Sequence, residues 1–477
     1  MPQVMLQKRF SEGDVTSFAT LSGDHNPLHV DALLSRRLLI GRPVVHGIYL
    51  LLWALDGSVE RPCRLVTLNV TFHSPVGVET PIVCRHAPVT DSVLKWSLYA
   101  GDQQAATIEA KFAGVSSPGY PHSGMEEVDK TPHPNRCRER SADEMADAGG
   151  TLDLWTLRSD FGAIFPRLAK FLPPEQLSVL LATTRLIGMD CPGLHSIYGG
   201  LSLEFGDETS RLTPPVLKWR VQRFDPRFSR VTIAIEAPGV SGTLRAFLRP
   251  LPKRQPAFSE MKQRVPPSIF AGRRALVAGG SRGLGELCAK MLAAGGAGVR
   301  LTYHRGQADA WKIAEEINDG GGDVGIAELN ILDVTEDAVR KAVGADWKPT
   351  HLYYFPTPMI SASVPLVFSR EVFATYCSYY VDGFFDTVKA VKTQTGGPLN
   401  VFYPSSIFVD DIPNNMAEYA AAKAAGETVC RYLSAMDPDL RIRVERLPRL
   451  PTDQTASLSP LKTEDPVVVL LEILVNG

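Results

Sequence analysis

No Cys-x-x-Cys occurs among the seven cysteines Cys63, Cys84, Cys137, Cys191, Cys288, Cys377 and Cys430, and their number is odd. That argues against a disulfide framework or a zinc ribbon and for reduced thiols in a cytoplasmic protein. Charge of one sign is missing as well. Fifty basic residues against 52 acidic ones leave a formal net charge of −2, which gives no electrostatic case for a nucleic acid partner. Long clean apolar runs are absent: LLIGRPVVHGIYLLLWAL is interrupted by Gly, Arg, Pro and His, short of the roughly 18 apolar residues of a membrane span. The opening MPQVMLQKRFSEGD has no apolar core of a signal peptide, so no membrane partner is expected. What is present is 477 residues, 44% hydrophobic and 21% charged. That is a globular composition with room for about three domains and a small-molecule substrate.

Residues 1–115 read as an α+β unit: a helical region at about 43–56, then strands in CRLVTLNVTFHSPV, TPIVCRHAPV, VLKWSLYAG and QAATIEAKFAG. Residues 116–150 turn polar and rich in Pro, Gly, Glu and Arg, and read as a linker. The earlier order returns over 151–252, with a helical span FPRLAKFLPPEQLSVLLATTRLIG followed by four strands. A second linker is expected over 253–271. Residues 272–477 then alternate short β-branched strands (RALVAGG, GVRLTYH, THLYYF, LNVFYP, RIRVERL) with longer helices. This is the rhythm of a Rossmann-like, doubly wound parallel sheet. The apolar VVVLLEILVNG is read as lying ahead of a last sheet strand.

The stretch GDHNPLHVD, residues 23–31, holds two carboxylates, two imidazoles and an amide. It is open to reading as a metal site, an acid/base pair or a polar, helix-capping loop. His25 and His29 have the i, i+4 spacing of two zinc ligands on one helix face. Pro27 between them interrupts such a helix and no third ligand motif follows, so no metal is expected and His25 reads as a surface residue.

With GRPVVHGIYLLLWAL, this stretch resembles the MaoC-like (R)-specific enoyl-thioester hydratases of the hot-dog fold, over about residues 8–114 and through D-x-N-P-x-H and V-x-H-G. The resemblance implies that Asp24 and His29 share one water molecule, one taking its proton while the other supplies a proton to the α-carbon. Asn26 then fixes the loop and Pro27 stiffens it. Gly47, at the N-terminus of the long helix, binds the thioester oxygen through its N–H as charge develops. His46 reads as a structural histidine, and Leu55 stands where such hydratases often carry a hydroxyl. The unit 151–252 has neither motif and reads as a degenerate second hot dog completing a double one. His195 and Ser196 are its candidates for touching substrate, although a structural role suits them better.

In the third region, Gly279, Gly283 and Gly285 lie between a strand and a helix, with Ser281, Arg282 and Leu284 among them. Such a turn lets backbone approach a pyrophosphate held at the helix N-terminus. His304 and Arg305, at the end of the next strand, and Arg282 in the loop are cations suited to a 2′-phosphate, which favours NADP(H). Downstream, YPSSIFVDDIPNNMAEYAAAKAAGE holds Ser406, and Tyr419 with Lys423 four residues on, one face of an Ala-rich helix. An ammonium beside a phenol favours phenolate.

Roughly residues 272–470 resemble the short-chain dehydrogenase/reductase family. That resemblance implies that Tyr419 donates the proton, Lys423 lowers its pKa and holds the ribose, Ser406 orients the carbonyl, and Asp333 in LNILDV contacts adenine. The chain departs from the family at Ala278, at YYFPTP (353–358), at Tyr380 in place of the relay asparagine, and at Pro448-Arg449.

The two resemblances meet at one molecule, the (R)-3-hydroxyacyl thioester. Three readings stay open: a bifunctional hydratase/dehydratase and NADPH-dependent 3-oxoacyl reductase acting on acyl-CoA or acyl-carrier-protein; an active hydratase with a scaffold or docking module; or a ketone reductase with a binding module. A homodimer or higher homo-oligomer is expected.

Overall fold

The structure, a computed structural model, describes residues 3–38, 40–90, 92–115, 136–154, 159–206, 216–360, 368–455 and 462–476. The chain divides into two compact units, the first reaching Leu251 and the second starting at Pro252.

Ten strands of the first unit form one antiparallel sheet. They are β1 (Gln3–Arg9), β2 (Cys63–Phe72), β3 (Pro81–Thr90), β4 (Val93–Ala100), β5 (Gln103–Gly114), β6 (Gly149–Asp153), β7 (Ser196–Phe205), β8 (Val216–Asp225), β9 (Arg230–Ala237) and β10 (Val240–Leu248). Their order is β1-β3-β4-β5-β2-β7-β10-β9-β8-β6. Read backwards, the second half β6-β8-β9-β10-β7 reproduces β1-β3-β4-β5-β2, so two hot-dog repeats share one sheet. The seam is the antiparallel pairing of β2 with β7, from Thr67 opposite Glu204 to Thr71 opposite Gly200.

Each repeat lays one apolar helix on the sheet, Gly47–Asp56 in the first and Pro174–Arg185 in the second. Ile48, Leu51, Leu52 and Leu55 of the first are fully buried, in a core that runs through both repeats. The repeats also lock through side chains. Gln176 of the second helix donates to the Leu65 carbonyl at 3.0 Å and accepts from its N–H at 2.8 Å. It satisfies backbone that the irregularity between Leu65 and Thr67 frees from the ladder.

The second unit carries β11 (Arg274–Ala278), β12 (Gly298–Tyr303), β13 (Asp323–Glu328), β14 (His351–Tyr354), β15 (Leu399–Ser406) and β16 (Leu440–Leu447). They form a parallel sheet in the order β13-β12-β11-β14-β15-β16. Helices cover both faces, giving two apolar clusters. The order reverses beside β11, the switch point at which doubly wound sheets bind their ligands.

Several expectations need correction. Of the stretch 116–150, residues 116–135 lie outside the described residues, but 136–150 are not a plain linker. They hold a helix, Ala142–Ala146, capped by Ser141 and Glu144, and the first residues of β6, which pairs with β8. The stretch 253–271 contains the helix Phe258–Arg264 and buries Phe258, Met261, Val265 and Phe270 in the core of the second unit. Phe258, Met261 and Val265 lie three and four residues apart, a spacing hidden by Ser, Glu, Lys, Gln and Arg between them. VVVLLEILVNG, for which no element was expected, lies mostly in a helix, Pro466–Val475, started by Pro466 and capped by Asp465, which does not contradict its reading as lying ahead of a last strand. All seven cysteines are free. Among the described residues no helix is long and apolar enough to cross a membrane.

Candidate active sites

The helix Glu12–Ser22 ends at Gly23 in the left-handed region, φ 73°, which turns the chain sharply into Asp24. Asn26 then caps the short helix Pro27–Val30, its side chain accepting the Leu28 N–H at 3.0 Å. Pro27 opens that helix, so His25 falls before it and does not share a face with His29. His25 is half-buried, not a free surface residue.

Asp24 is 1% exposed. One carboxylate oxygen accepts the Thr184 hydroxyl at 2.7 Å and the other the Asn26 N–H at 3.2 Å. Burial raises its pKa, opposed first by His29 and then by those hydrogen bonds. His29 places Nδ1 2.8 Å from the Val44 carbonyl oxygen. A carbonyl only accepts, so Nδ1 carries the proton and Nε2 presents a lone pair. Burial lowers the His29 pKa, against the pull of Asp24, which keeps the ring neutral. The arrangement therefore offers a neutral imidazole base beside a carboxyl that holds its proton more readily than a solvated one.

His46 is fully buried, as a structural histidine is. Its ring stacks on that of His29, with centroids 3.7 Å apart and an interplanar angle of 21°. Its Nε2 donates to the Asp24 carbonyl at 2.9 Å, and its Nδ1 is buried without a partner. Asp24, His29 and His46 offer ligand atoms within 4.8 Å of one another. Two nearly parallel rings direct their in-plane lone pairs side by side, though, and not to a common point about 2 Å from both, as a zinc ion demands. Gly47 opens the helix behind His46, where the first N–H groups have no intrahelical acceptor. A Cβ there would meet the Phe72 ring at 2.7 Å.

The second repeat supplies parts that the sequence did not reveal. Thr184 comes from its helix, and Asn26 reaches into it, donating to the carbonyls of Gly188 at 2.8 Å and Gly193 at 3.1 Å. A Cβ on Gly188 would stand 2.0 Å from an Asp24 carboxylate oxygen, so only glycine fits against the acid. The available signal was TRLIG at the end of the second helix, where the Thr184 hydroxyl and Gly188 lie four residues apart. His195 pairs with Glu139 at 2.9 Å, and Ser196 is buried at the start of β7. Leu55 is fully buried.

In the second unit the turn after β11 is compact. Gly279 has φ 70°, and a Cβ on Gly285 would stand 2.4 Å from the Gly279 carbonyl oxygen. The helix Gly283–Ala294 starts there without a side-chain cap on its first N–H groups. This cradle fits a pyrophosphate. Ser281 is buried; Leu284 packs half-buried against the core. His304, Arg305 and Asp333 are exposed at the ends of neighbouring strands. Arg282 lies 3.9 Å from Asp453.

Ser406 ends β15, its hydroxyl accepting the Phe408 N–H at 3.2 Å and acting to lower the pKa of Tyr419, on the helix Ala417–Met436 with Lys423. The expected lowering of the Tyr419 pKa is not found. Burial outweighs the effect of Ser406 and pushes the phenol up to about 12. The physical reason is where the ammonium goes: Lys423 Nζ donates to the Pro404 carbonyl at 2.6 Å and lies 3.9 Å over the Tyr380 ring, but 5.9 Å from the centre of Tyr419. Burial brings Lys423 itself down to about 7. Tyr380, in the position read as the relay asparagine, sends its hydroxyl to Thr357 at 2.6 Å.

The chain matches two families, "MaoC like domain" over residues 2–93 and "short chain dehydrogenase" over residues 273–458. It is 30% identical over 187 residues to the NADPH-dependent aldehyde reductase-like protein, chloroplastic, of Arabidopsis thaliana, covering 35% of this chain and 68% of that protein. Over 45 residues it is 47% identical to the (R)-specific enoyl-CoA hydratase of Aeromonas caviae (9% and 34% coverage). Over 78 residues it is 30% identical to the 3-hydroxybutyryl-CoA dehydratase of Methylorubrum extorquens (16% and 50%). The chain thus spans a third to a half of the length of these last two relatives. Among solved structures, a dehydrogenase/reductase from Sinorhizobium meliloti 1021 is 23% identical, covering 46% of this chain and 90% of that one, with a TM-score of 0.39.

Proposed function

The chain belongs to the short-chain dehydrogenases through its C-terminal unit and carries a MaoC-like domain at its N-terminal end, and from that premise we propose a bifunctional enzyme of acyl-thioester metabolism. Its first unit hydrates 2-enoyl thioesters to (R)-3-hydroxyacyl thioesters and reverses that step. Its second reduces 3-oxoacyl thioesters with NADPH, on CoA or a carrier protein.

The observation that carries the reading is the buried Asp24, fixed by Thr184, beside a His29 whose Nε2 lone pair is free. Water adds its oxygen to the β-carbon; one member of the pair accepts the water proton while the other delivers one to the α-carbon, and the pair ends with the protons it began with. The Gly47 N–H and the positive end of its helix stabilise the enolate oxygen meanwhile. In the second unit Gly279, Ser281, Arg282, Gly283, Leu284 and Gly285 would hold the pyrophosphate side of NADP(H), His304 and Arg305 its 2′-phosphate, Asp333 its adenine, and Tyr419 with Lys423 its ribose. Bound NADP(H) supplies the hydride. Ser406 orients the carbonyl, and Tyr419, still protonated at neutral pH, gives its proton to the carbonyl oxygen. The names of the hydratase, dehydratase and NADPH-dependent relatives support the thioester and the cofactor chosen here.

The test is incubation with acetoacetyl-CoA and NADPH, following NADPH absorbance and enoyl product together. Tyr419→Phe should lose both signals. Asp24→Asn should lose only the enoyl product, by about 10²–10⁴-fold. Indifference to both substitutions would end the proposal. A second reading, hydratase with a docking module, is favoured by Lys423 lying 3.9 Å over the centre of the Tyr380 ring and 5.9 Å from that of Tyr419. Failure of the chain to bind NADPH in a fluorescence titration would select it.

A further inference from the structure

Arg249 follows β10 and is 2% exposed. Its main-chain N–H donates to the His195 carbonyl at 2.8 Å, and its Nη2 donates to the Leu194 carbonyl. Its Nε and Nη1 have no hydrogen-bond partner, and among the described residues no carboxylate pairs with it. Those two nitrogens carry three of the five N–H donors of a guanidinium. Burial brings the group down to about 10, so it remains a cation at neutral pH. A buried, unpaired cation is costly, and a native fold keeps one where a ligand completes it.

Its position says which ligand. The Leu194 carbonyl that accepts from Arg249 also lies 3.4 Å from Asn26 Nδ2, and Asn26 sits two residues from Asp24 and caps the helix that bears His29. The charge of Arg249 is felt at His29, and Cys137 feels both Arg249 and Asp24. The guanidinium therefore shares a carbonyl acceptor with the residue that caps the His29 helix, and it lies entirely within the first unit. The phosphates of a CoA or carrier arm lie a full pantetheine length from the thioester, too far for this contact. The enolate oxygen is already served by the N-terminus of the helix at Gly47. What remains is an anion on the acyl group itself, and a planar guanidinium with free donors matches a carboxylate.

We propose that Arg249 is a specificity-determining residue of the Asp24/His29 site, and that the thioester taken there carries a carboxylate on its acyl chain. This rests on the hydratase reading above and names its substrate class.

Succinyl-CoA and butyryl-CoA are unreactive four-carbon probes that differ in the carboxylate. Titrated calorimetrically into the full chain, succinyl-CoA should bind about tenfold tighter or better, the worth of one charge-assisted contact. The Arg249→Met variant should lose that difference, and Arg249→Lys should keep part of it. Equal or weaker binding of succinyl-CoA by the unaltered chain would overturn the proposal, even if no variant folds; so would a preference that survives Arg249→Met. Hydration of crotonyl-CoA is a separate readout. If the unaltered chain leaves it and fumaryl-CoA untouched, the hydratase reading fails, whereas turnover of crotonyl-CoA with no succinyl preference fails this inference alone.

Discussion

Thr184 shows how one hydroxyl sets the protonation of a buried acid. Burial raises the Asp24 pKa, and the Thr184 bond works against that rise. Thr184→Val removes the opposing contact at nearly constant volume, so the Asp24 pKa rises further and the limb of the pH–rate profile that reports Asp24 moves to higher pH. A pH–rate profile checks the direction, and the loss of one hydrogen bond should lower stability by about 1 kcal/mol in denaturant titration. A profile unchanged from that of the parent chain would remove Thr184 from the site. Asp24 and His29 themselves were legible because loop chemistry writes both into one short motif. Thr184 and Gly188 were not, because they come from a repeat without that motif and reach the acid only through the packing of two helices on one sheet.

Elements carry the nucleotide cradle. The tight packing of Gly285 on the Gly279 carbonyl is a property of the strand–turn–helix joint and of neither residue alone. Gly285→Ala must push the helix Gly283–Ala294 away from β11, so NADPH affinity should fall more than about tenfold in a fluorescence titration, since a displacement of about 1 Å is felt strongly at a preorganised site. Hydration by the first unit should be unaffected. The strands with alternating or continuous β-branched residues were readable from the chain, whereas β1, β6 and β13 were missed. β6 spans GGTLD and β13 spans DVGIAE. The first has no apolar alternation and the second only the pair Val324 and Ile326, and both are strands because a neighbouring edge offers hydrogen bonds. The same holds for the stretch 253–271, whose buried Phe258, Met261 and Val265 become a stripe only once the helix is formed and seated.

At the scale of the molecule, two cores imply two stabilities. NADPH at a hundredfold excess over its Kd should stabilise the second unit by about 2.7 kcal/mol. The first unit should be unmoved, so calorimetry of the full chain should show one transition shifting and another staying. A single transition that shifts as a whole would mean one cooperative block.

The first unit should also respond to acid. Burial holds His29 and His46 below the unfolded value near 6.5, so their contribution to stability is complete above that pH and is lost progressively as pH falls below it towards their folded values. Asp24 acts in the opposite sense, its raised pKa favouring the fold as pH falls from its folded value towards 3.8. His46→Gln should therefore flatten the decline in melting temperature between neutral pH and about pH 5. An unchanged slope would place the acid sensitivity elsewhere.

The sequence by itself determined the two kinds of domain, the repeat of helix and strands within the first, the Asp24/His29 loop, the glycine turn and the Ser406, Tyr419 and Lys423 set. These are local: spacing along a helix, a turn that only glycine fits, a proline that starts a helix. Tertiary structure alone decided which partners those residues keep. It brought Thr184 and Gly188 against Asp24 from 160 or more residues away, and it turned the Lys423 ammonium to a carbonyl and a tyrosine face that burial made available. It also left Arg249 charged and incomplete. Protonation and pairing depend on what is packed around a group, and that is written only in the folded chain.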